Sequence, residues 1–174
     1  LYAGALTKEK GWERVKSTMN NIAQLLPKTQ FQLDIITKDH FTYSNDYDNL
    51  HICKLDFMPF EQFCKQIVQY DLFLDLRDVD FENTRCLPIK LFYYMACGRP
   101  SIYSNLTAIR KGVAQIDDCA FLVDDIEQAT QAMLQYISNP TLYKRHSQRA
   151  LELSQQQYNW QSIKIRLTQL IDEL

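Results

Sequence analysis

Three groups of residues in this chain have the types and spacing to do chemistry. The first is GALTKEKG, residues Gly4–Gly11, which follows a short apolar run and opens an amphipathic stretch. A glycine turn with a lysine, Lys10, at a helix N-terminus can cradle a phosphate, because unpaired N–H groups and the helix dipole favour an anion there. The spacing is neither G-x-G-x-x-G nor that of a Walker A loop, which counts against dinucleotide and P-loop readings. Taken alone, Lys10 is more simply a solvated surface lysine. The second group lies in DVDFENTRCLPIKLFYYMACGRP, Asp78–Pro100. Here Asn83, Thr84, Arg85 and the backbone N–H groups near Cys86 and Leu87 are expected to face a ligand crevice. Lys90 and Tyr93 follow one turn apart on a helix. The third group is aromatic: Tyr43, Tyr47, Phe57 and Phe60 can stack on a base or a sugar, although most aromatics simply fill cores.

Other chemistries find less support. Asp78, Asp80 and Glu82 read as a solvated acidic loop, and three alternating carboxylates are weak evidence for a hard cation. No spacing rule pairs Asp75 with Asp78 for acid–base work. Ser101 and Ser104 lack a G-x-S-x-G elbow, and no histidine is placed by sequence to activate a cysteine. Cys53, Cys64, Cys86, Cys97 and Cys119 are odd in number and form no C-x-x-C pair. They fit free thiols in a reducing, cytoplasmic compartment, several of them as small core residues. His40, His51 and His146 stand far apart, so no metal site is expected. A receiver-type signalling domain fails for want of an acid cluster after the first strand and a phosphoacceptor aspartate after the third.

The elements that must position these residues alternate in type. Leu1–Ala3 ends a strand, and Trp12, Val15, Met19, Ile22 and Leu26 recur at helical spacing over Glu9–Leu26, where Pro27 stops the helix. Gln32–Thr37 and His51–Leu55 read as strands separated by the polar loop Lys38–Asn49. Pro59 opens a helix with Phe60, Phe63 and Ile67 on one face. Asp71–Leu76 is a fourth strand, and Leu87–Cys97 is a helix closed by Gly98 at C′. Pro100–Tyr103 and Ala120–Val123 are further strands. The last third is helical. Ile126–Tyr136 forms one helix, and Pro140 starts another at its favoured first position. Asn159 caps a third, whose Trp160, Ile163, Leu167, Leu170, Ile171 and Leu174 form one stripe. The pattern predicts an α/β fold: a Rossmann-like parallel sheet with helices on both faces and a helical C-terminal tail. Ligands of such sheets bind outside the carboxyl ends of the strands.

Composition sets the bounds. The 174 residues are 46% hydrophobic and 23% charged with a net charge of −2. That suits one domain, 1–174, with a sizeable core. The near-neutral balance argues against a nucleic-acid footprint, so no nucleic acid is expected as a partner. No window approaches the ~18 apolar residues of a membrane span. The opening on Leu1, directly into an apolar run, leads us to expect a piece of a longer polypeptide.

Several segments, in order, resemble the C-terminal, donor-binding domain of retaining GT-B glycosyltransferases of group 1 (family 4-like). YAGALTKEKGW at 2–12 is similar to the family's strand–turn–helix, with Lys10 at its phosphate-binding lysine. NTRCLPIKLFYYMACGRPSIYSN at 83–105 is similar to its P-x-K-L-F-E-Y-M-A-x-G-x-P-V-I segment, AFLVDD at 120–125 to its next strand, and NPTLYKRHSQRA and YNW to its closing helices. The resemblance implies a nucleotide-diphosphate sugar as donor substrate and no further cofactor. It also implies a glycan or lipid-linked acceptor held by an N-terminal lobe outside this sequence, and transfer with retention only in the whole protein. Such a protein is cytoplasmic and can associate peripherally with the inner face of a membrane. Lys10, Asn83, Thr84, Arg85, Cys86, Leu87, Lys90 and Tyr93 then surround the donor, with Phe57 and Met58 near the base. Departures are equally visible. Ala5 stands where the family often has arginine, and Arg85 and Tyr93 stand at its two glutamates. A catalytically silent nucleotide- or protein-binding domain is the alternative.

Overall fold

The protein is described by a computed structural model, over residues 1–43 and 46–172. Strands β1 (Tyr2–Ala3), β2 (Phe31–Thr37) and β3 (Leu50–Asp56) form one parallel ladder. Strands β4 (Phe73–Asp75), β5 (Ser101–Ser104) and β6 (Ala120–Val123) form a second. Tyr2 lies opposite Ile35 and Phe31 opposite Leu50, while Phe73 lies opposite Ser101 and Ser101 opposite Ala120. The expected parallel sheet is found, built from two three-stranded ladders. They meet where the Leu1 nitrogen donates to the Leu72 carbonyl at 2.8 Å and the Leu74 N–H donates to the Leu1 carbonyl at 3.0 Å. The running order is therefore β3-β2-β1-β4-β5-β6, with the direction of winding reversing between β1 and β4. That reversal opens a crevice at the carboxyl ends of those two strands.

Alternation along the strands divides the core into two layers, as period 2 requires. Tyr2, Leu33, Ile35, Leu74 and Ile102 face α1 (Trp12–Leu25) and α5 (Ile126–Ser138). Ala3, Ile36, Phe73 and Tyr103 face α2 (Phe60–Ile67), α3 (Lys90–Ala96), α4 (Thr107–Gly112) and α6 (Pro140–Gln156). Helices thus cover both faces. On the second face the Phe73 and Tyr94 rings stack at 4.0 Å, 5° from parallel.

Helix boundaries follow local chemistry. The first helix begins at Trp12, three residues later than its apolar period suggests, because Gly11 adopts φ +81° at the N-cap. Likewise α3 begins at Lys90 and not Leu87, since Pro88 interrupts the approach. Gly98 does close it, with φ +61°. Asn139 caps α6 by accepting from the Leu142 N–H at 3.0 Å, with Pro140 at the first position. Asn159 accepts from the Ser162 N–H at 2.9 Å at the head of α7 (Trp160–Asp172).

Other expectations are corrected. Of the face proposed for α2, only Ile67 is buried, while Phe60 is exposed and Phe63 half-buried. The stripe on α7 stays exposed, with Trp160 78% accessible; Leu174 lies outside the described residues. Cysteine is less of a core residue than its apolar neighbours suggest, with Cys53 and Cys86 exposed and Cys119 buried. The short helix α4 and the 3₁₀ turn Ile116–Asp118 were not anticipated.

One buried pair ties α5 to α6 and sets a pH dependence. The Tyr136 hydroxyl and His146 Nδ1 lie 2.9 Å apart, and His146 is buried. Burial lowers the His146 pKa, with Arg145 adding to the depression and Asp118 opposing it. The unfolded imidazole, with a pKa of about 6.5, binds its proton first on acidification. Its contribution to stability is therefore full above about pH 6.5 and is lost as pH falls toward the depressed folded value. Thermal melts between pH 7.5 and 5.5 should show this loss, and His146→Gln should remove that part of the slope.

Candidate functional site

The loop after β1 is built to approach the end of β4. A Cβ on Gly11 would lie 1.9 Å from the Leu76 carbonyl oxygen. Only glycine allows this contact together with a positive φ. The Tyr2 hydroxyl holds the same loop from below, donating to the Ala5 carbonyl at 2.5 Å and the Lys10 carbonyl at 3.2 Å. Asp39, just past β2, accepts the Leu6 N–H at 2.6 Å through Oδ2. The loop is thereby pinned from two strands.

Between this loop, the ends of β2 and β3, and helices α2 and α3 lies a cleft of about 590 Å³. Its floor is Ala3–Ala5 and its walls carry Phe57, Met58, Phe60, Phe63, Ile89 and Tyr93. Tyr93 is half-buried and packs on Phe60, with ring centroids 5.0 Å apart. The ammonium of Lys38 sits 4.2 Å over the Phe57 ring, a cation–π contact that presents both an aromatic face and a charge at the rim. Lys90 lines the inner end. Its Nζ donates to the Ala3 carbonyl, which uses one of its three donors. Desolvation lowers the Lys90 pKa, Asp75 works against this, and the positive charges of Arg77 and Lys10 add to it. Lys10 and Lys90 thus share one electrostatic neighbourhood at the head of the crevice.

The candidates divide between this cleft and the neighbouring loop. Lys90, Tyr93, Phe57 and Met58 converge on the cleft. Lys10 is half-buried beside it, and its side chain is not part of the cleft wall. Asn83 is buried inside its own loop, where Nδ2 donates to the Glu9 carbonyl at 2.9 Å, the Asp78 carbonyl at 3.1 Å and Asp80 Oδ2 at 2.7 Å. It staples the loop after β4 to the loop after β1 and does not face the crevice. Thr84 donates to the Asp80 carbonyl at 2.6 Å. Arg85 is exposed, its guanidinium 3.8 Å over the Phe81 ring and its Nη1 donating to the Phe81 carbonyl at 3.0 Å. The Cys86 N–H, expected to be open, donates to the Glu82 carbonyl at 2.9 Å because residues 81–85 coil into a turn. The side chains of Thr84, Arg85 and Leu87 border a separate groove with Lys111.

Of the four aromatics, Phe57 and Phe60 line the cleft. Tyr43 stacks on Phe41 at 5.8 Å, which packs edge-on to Trp12, and Tyr47 packs against the α1 side of the core. Of the acidic pair, Asp75 is spent as well. Asp75 is buried and receives Arg77 through two bonds, Nε to Oδ1 at 2.8 Å and Nη2 to Oδ2 at 3.2 Å. Lys38 and Asp39, with Thr37, are polar cleft residues not among those expected from residue type. Their position, directly after the carboxyl end of a strand, was the available signal. Among the described residues, no three His, Cys, Asp or Glu side chains gather as a metal site would. Nor, among them, is any helix long and apolar enough to cross a membrane.

Comparison with known proteins gives a likeness of fold. No family model and no curated sequence matches the chain. Among solved structures, HepE of Anabaena in complex with UDP superposes with a TM-score of 0.71 at 13% identity, over 99% of this chain and 48% of that one. Sucrose-phosphate synthase of Thermosynechococcus elongatus gives 0.69 at 17%, over 99% and 44%. The C-terminal domain of LpcC, a group 1 glycosyltransferase family protein of Francisella tularensis, gives 0.57 at 12%, over 92% and 84%. The chain spans less than half the length of the first two. The winding order, the reversal between β1 and β4 and these superpositions agree: the chain has the fold of one lobe of a GT-B glycosyltransferase.

Proposed function

We propose that the cleft binds a nucleoside-diphosphate sugar and that the chain is the donor lobe of a glycosyltransferase. The observation that carries this reading is the meeting of Lys90 with the aromatic walls of Phe57, Phe60 and Tyr93 at the carboxyl ends of β1, β2 and β3. Lys90, with Lys10 nearby, offsets the charge of a diphosphate. Fixed positive charge in that place also stabilises the negative charge that develops on a departing nucleoside diphosphate. The aromatic walls supply faces for the base and ribose. Tyr93 offers the ribose one hydroxyl where the family pattern carries a carboxylate. The acceptor, a glycan or a lipid-linked sugar, then enters from a second lobe, and turnover requires both. Peripheral membrane association and a cytoplasmic location belong to the same proposal. HepE in complex with UDP-glucose and the pneumococcal O-GlcNAc transferase GtfA in complex with UDP and GlcNAc support it by likeness of fold.

A panel of UDP, GDP, dTDP and ADP tests the reading by thermal shift. A diphosphate at a hundred times its Kd adds about 2.7 kcal/mol, or about 5–10 °C in Tm for a domain of this size. One member should shift the melt and its nucleoside should do so much less. No shift with any diphosphate would favour the silent domain, which the replacements at Arg85 and Tyr93 suggest.

A further inference from the structure

The carboxylates of this chain are unevenly placed. Aspartate and glutamate outnumber lysine and arginine, 21 to 19, yet neither 83–116 nor 128–151 contains one. Parts of these two stretches meet at the amino end of β5, where Gly98 closes α3 and packs on α6. A Cβ on Gly98 would lie 3.4 Å from Leu151 Cβ and 3.6 Å from the Ser147 carbonyl oxygen. Beside this contact runs a groove of about 560 Å³, at the opposite end of the sheet from the cleft. Arg99, Lys144 and Ser147 line it together with the Tyr143 ring and Leu151, and none of its lining residues is acidic. Among the described residues, neither Arg99 nor Lys144 has a carboxylate within ion-pair distance. Arg99 Nε and Ser147 Oγ are also closed off from solvent with no hydrogen-bond partner, two of only five such side-chain atoms among the described residues. Buried polar groups in native proteins are rarely left so, and two in one groove call for a common partner. Tyr143 stands between them. Its hydroxyl donates to the Asp71 carbonyl at 2.9 Å. Burial raises the Tyr143 pKa and Asp71 adds to the rise, while the Arg99 charge and the Ser147 hydroxyl oppose it.

We propose that this groove is a second ligand site and takes a phosphate monoester. Arg99 and Lys144 supply two positive charges, which match a phosphate dianion better than a single carboxylate. The guanidinium offers a planar fork and the ammonium a compact point charge, the two forms in which proteins bind phosphate. The Ser147 hydroxyl rotates freely and donates to a further oxygen. The Tyr143 ring and Leu151 adjoin this charged end and take the organic part of the ester. The surrounding charge agrees in sign. On α6, Arg145 follows Lys144 directly, and the first carboxylate, Glu152, is paired with Arg149 at 3.3 Å. A local excess of positive charge of this kind draws anions even to a chain whose net charge is −2.

Amide shift mapping by NMR with phenyl phosphate, inorganic phosphate and benzoate, at constant ionic strength, tests the site. Phenyl phosphate should shift the amides of Gly98, Arg99, Tyr143, Lys144 and Ser147 saturably. Inorganic phosphate should move the same amides with lower affinity, because it leaves the apolar wall unfilled. Benzoate carries the same ring on a single charge and should bind about tenfold more weakly than phenyl phosphate. Arg99→Gln and Lys144→Gln should each weaken phenyl phosphate about tenfold or more, the loss of one charge-assisted contact. Lys144 is exposed, so its variant keeps the fold. Lys90→Met, at the other end of the sheet, should leave phenyl phosphate binding in the groove unchanged, which separates failure here from failure at the cleft. Shifts that do not saturate, that persist in both groove variants, that benzoate reproduces at equal concentration, or that centre on Gly4 and Lys90 would overturn the proposal.

Discussion

Gly11→Ala is expected to destabilise the protein by roughly 3–5 kcal/mol, the sum of a left-handed backbone strain and an overpacked contact. The methyl group would sit 1.9 Å from the Leu76 carbonyl oxygen and 2.9 Å from the Arg77 nitrogen, both main-chain atoms of the β4 end. Neither can swing aside as a side chain can. Relief requires the loop after β1, whose Gly4 and Ala5 floor the candidate cleft, to lift from the end of β4. Gly98→Ala is the matched control. Its φ is also positive, at +61°, but its Cβ would meet only ordinary contacts at 3.4 Å and beyond. That variant should cost only about 1–2 kcal/mol. Chemical denaturation of both variants measures the difference, and equal losses would show that the close approach of Gly11 to Leu76 does not matter.

Lys90→Met carries the second large effect, on binding instead of folding. Methionine keeps the aliphatic stem that fills the base of the cleft and removes the charge. If Lys90 meets a diphosphate, the loss is about 1.5–3 kcal/mol, the range for a hydrogen bond to a charged group. That weakens diphosphate binding roughly tenfold to a hundredfold. Binding of the corresponding nucleoside, which has no phosphate to meet, should change little. Calorimetric titration of both ligands into both proteins separates the two effects. A parallel loss for nucleoside and diphosphate would mean that Lys90 shapes the cleft through its bond to the Ala3 carbonyl and not through its charge.

The strands and long helices were legible because their periods are strong. Trp12, Val15, Met19 and Ile22 recur on one face of α1 and are all buried. Gly98 closes α3, and Asn139 with Pro140 opens α6, as their chemistry demands. The short helix α4 was missed although Leu106, Ile109 and Val113 are all buried at helical spacing. Six residues give too little period to stand out from the strand before them. The site was legible in part, for a physical reason. Residue type and spacing place Lys90 and Tyr93 one turn apart on a helix, and that geometry is local. Whether Asn83 faces a ligand or its own loop depends on where the Glu9 carbonyl lies, 74 residues away. The amide of Cys86 is likewise lost to a turn that its side-chain sequence does not announce. Lys38 and Asp39 entered the cleft because the loop after β2 folds back toward Gly4 and Leu6, again a tertiary fact.

A nucleoside diphosphate seated in the cleft between the β1 loop and α3 leaves a signature at the backbone amides. Backbone amide shift mapping by NMR, with increasing diphosphate, tests it most directly. Saturable shifts are expected at Gly4, Ala5, Lys38, Phe57, Lys90 and Tyr93, absent with Lys90→Met at the same concentrations. Shifts centred on Phe31–Asp34 at the other end of the sheet, or none at any residue up to millimolar ligand, would contradict it.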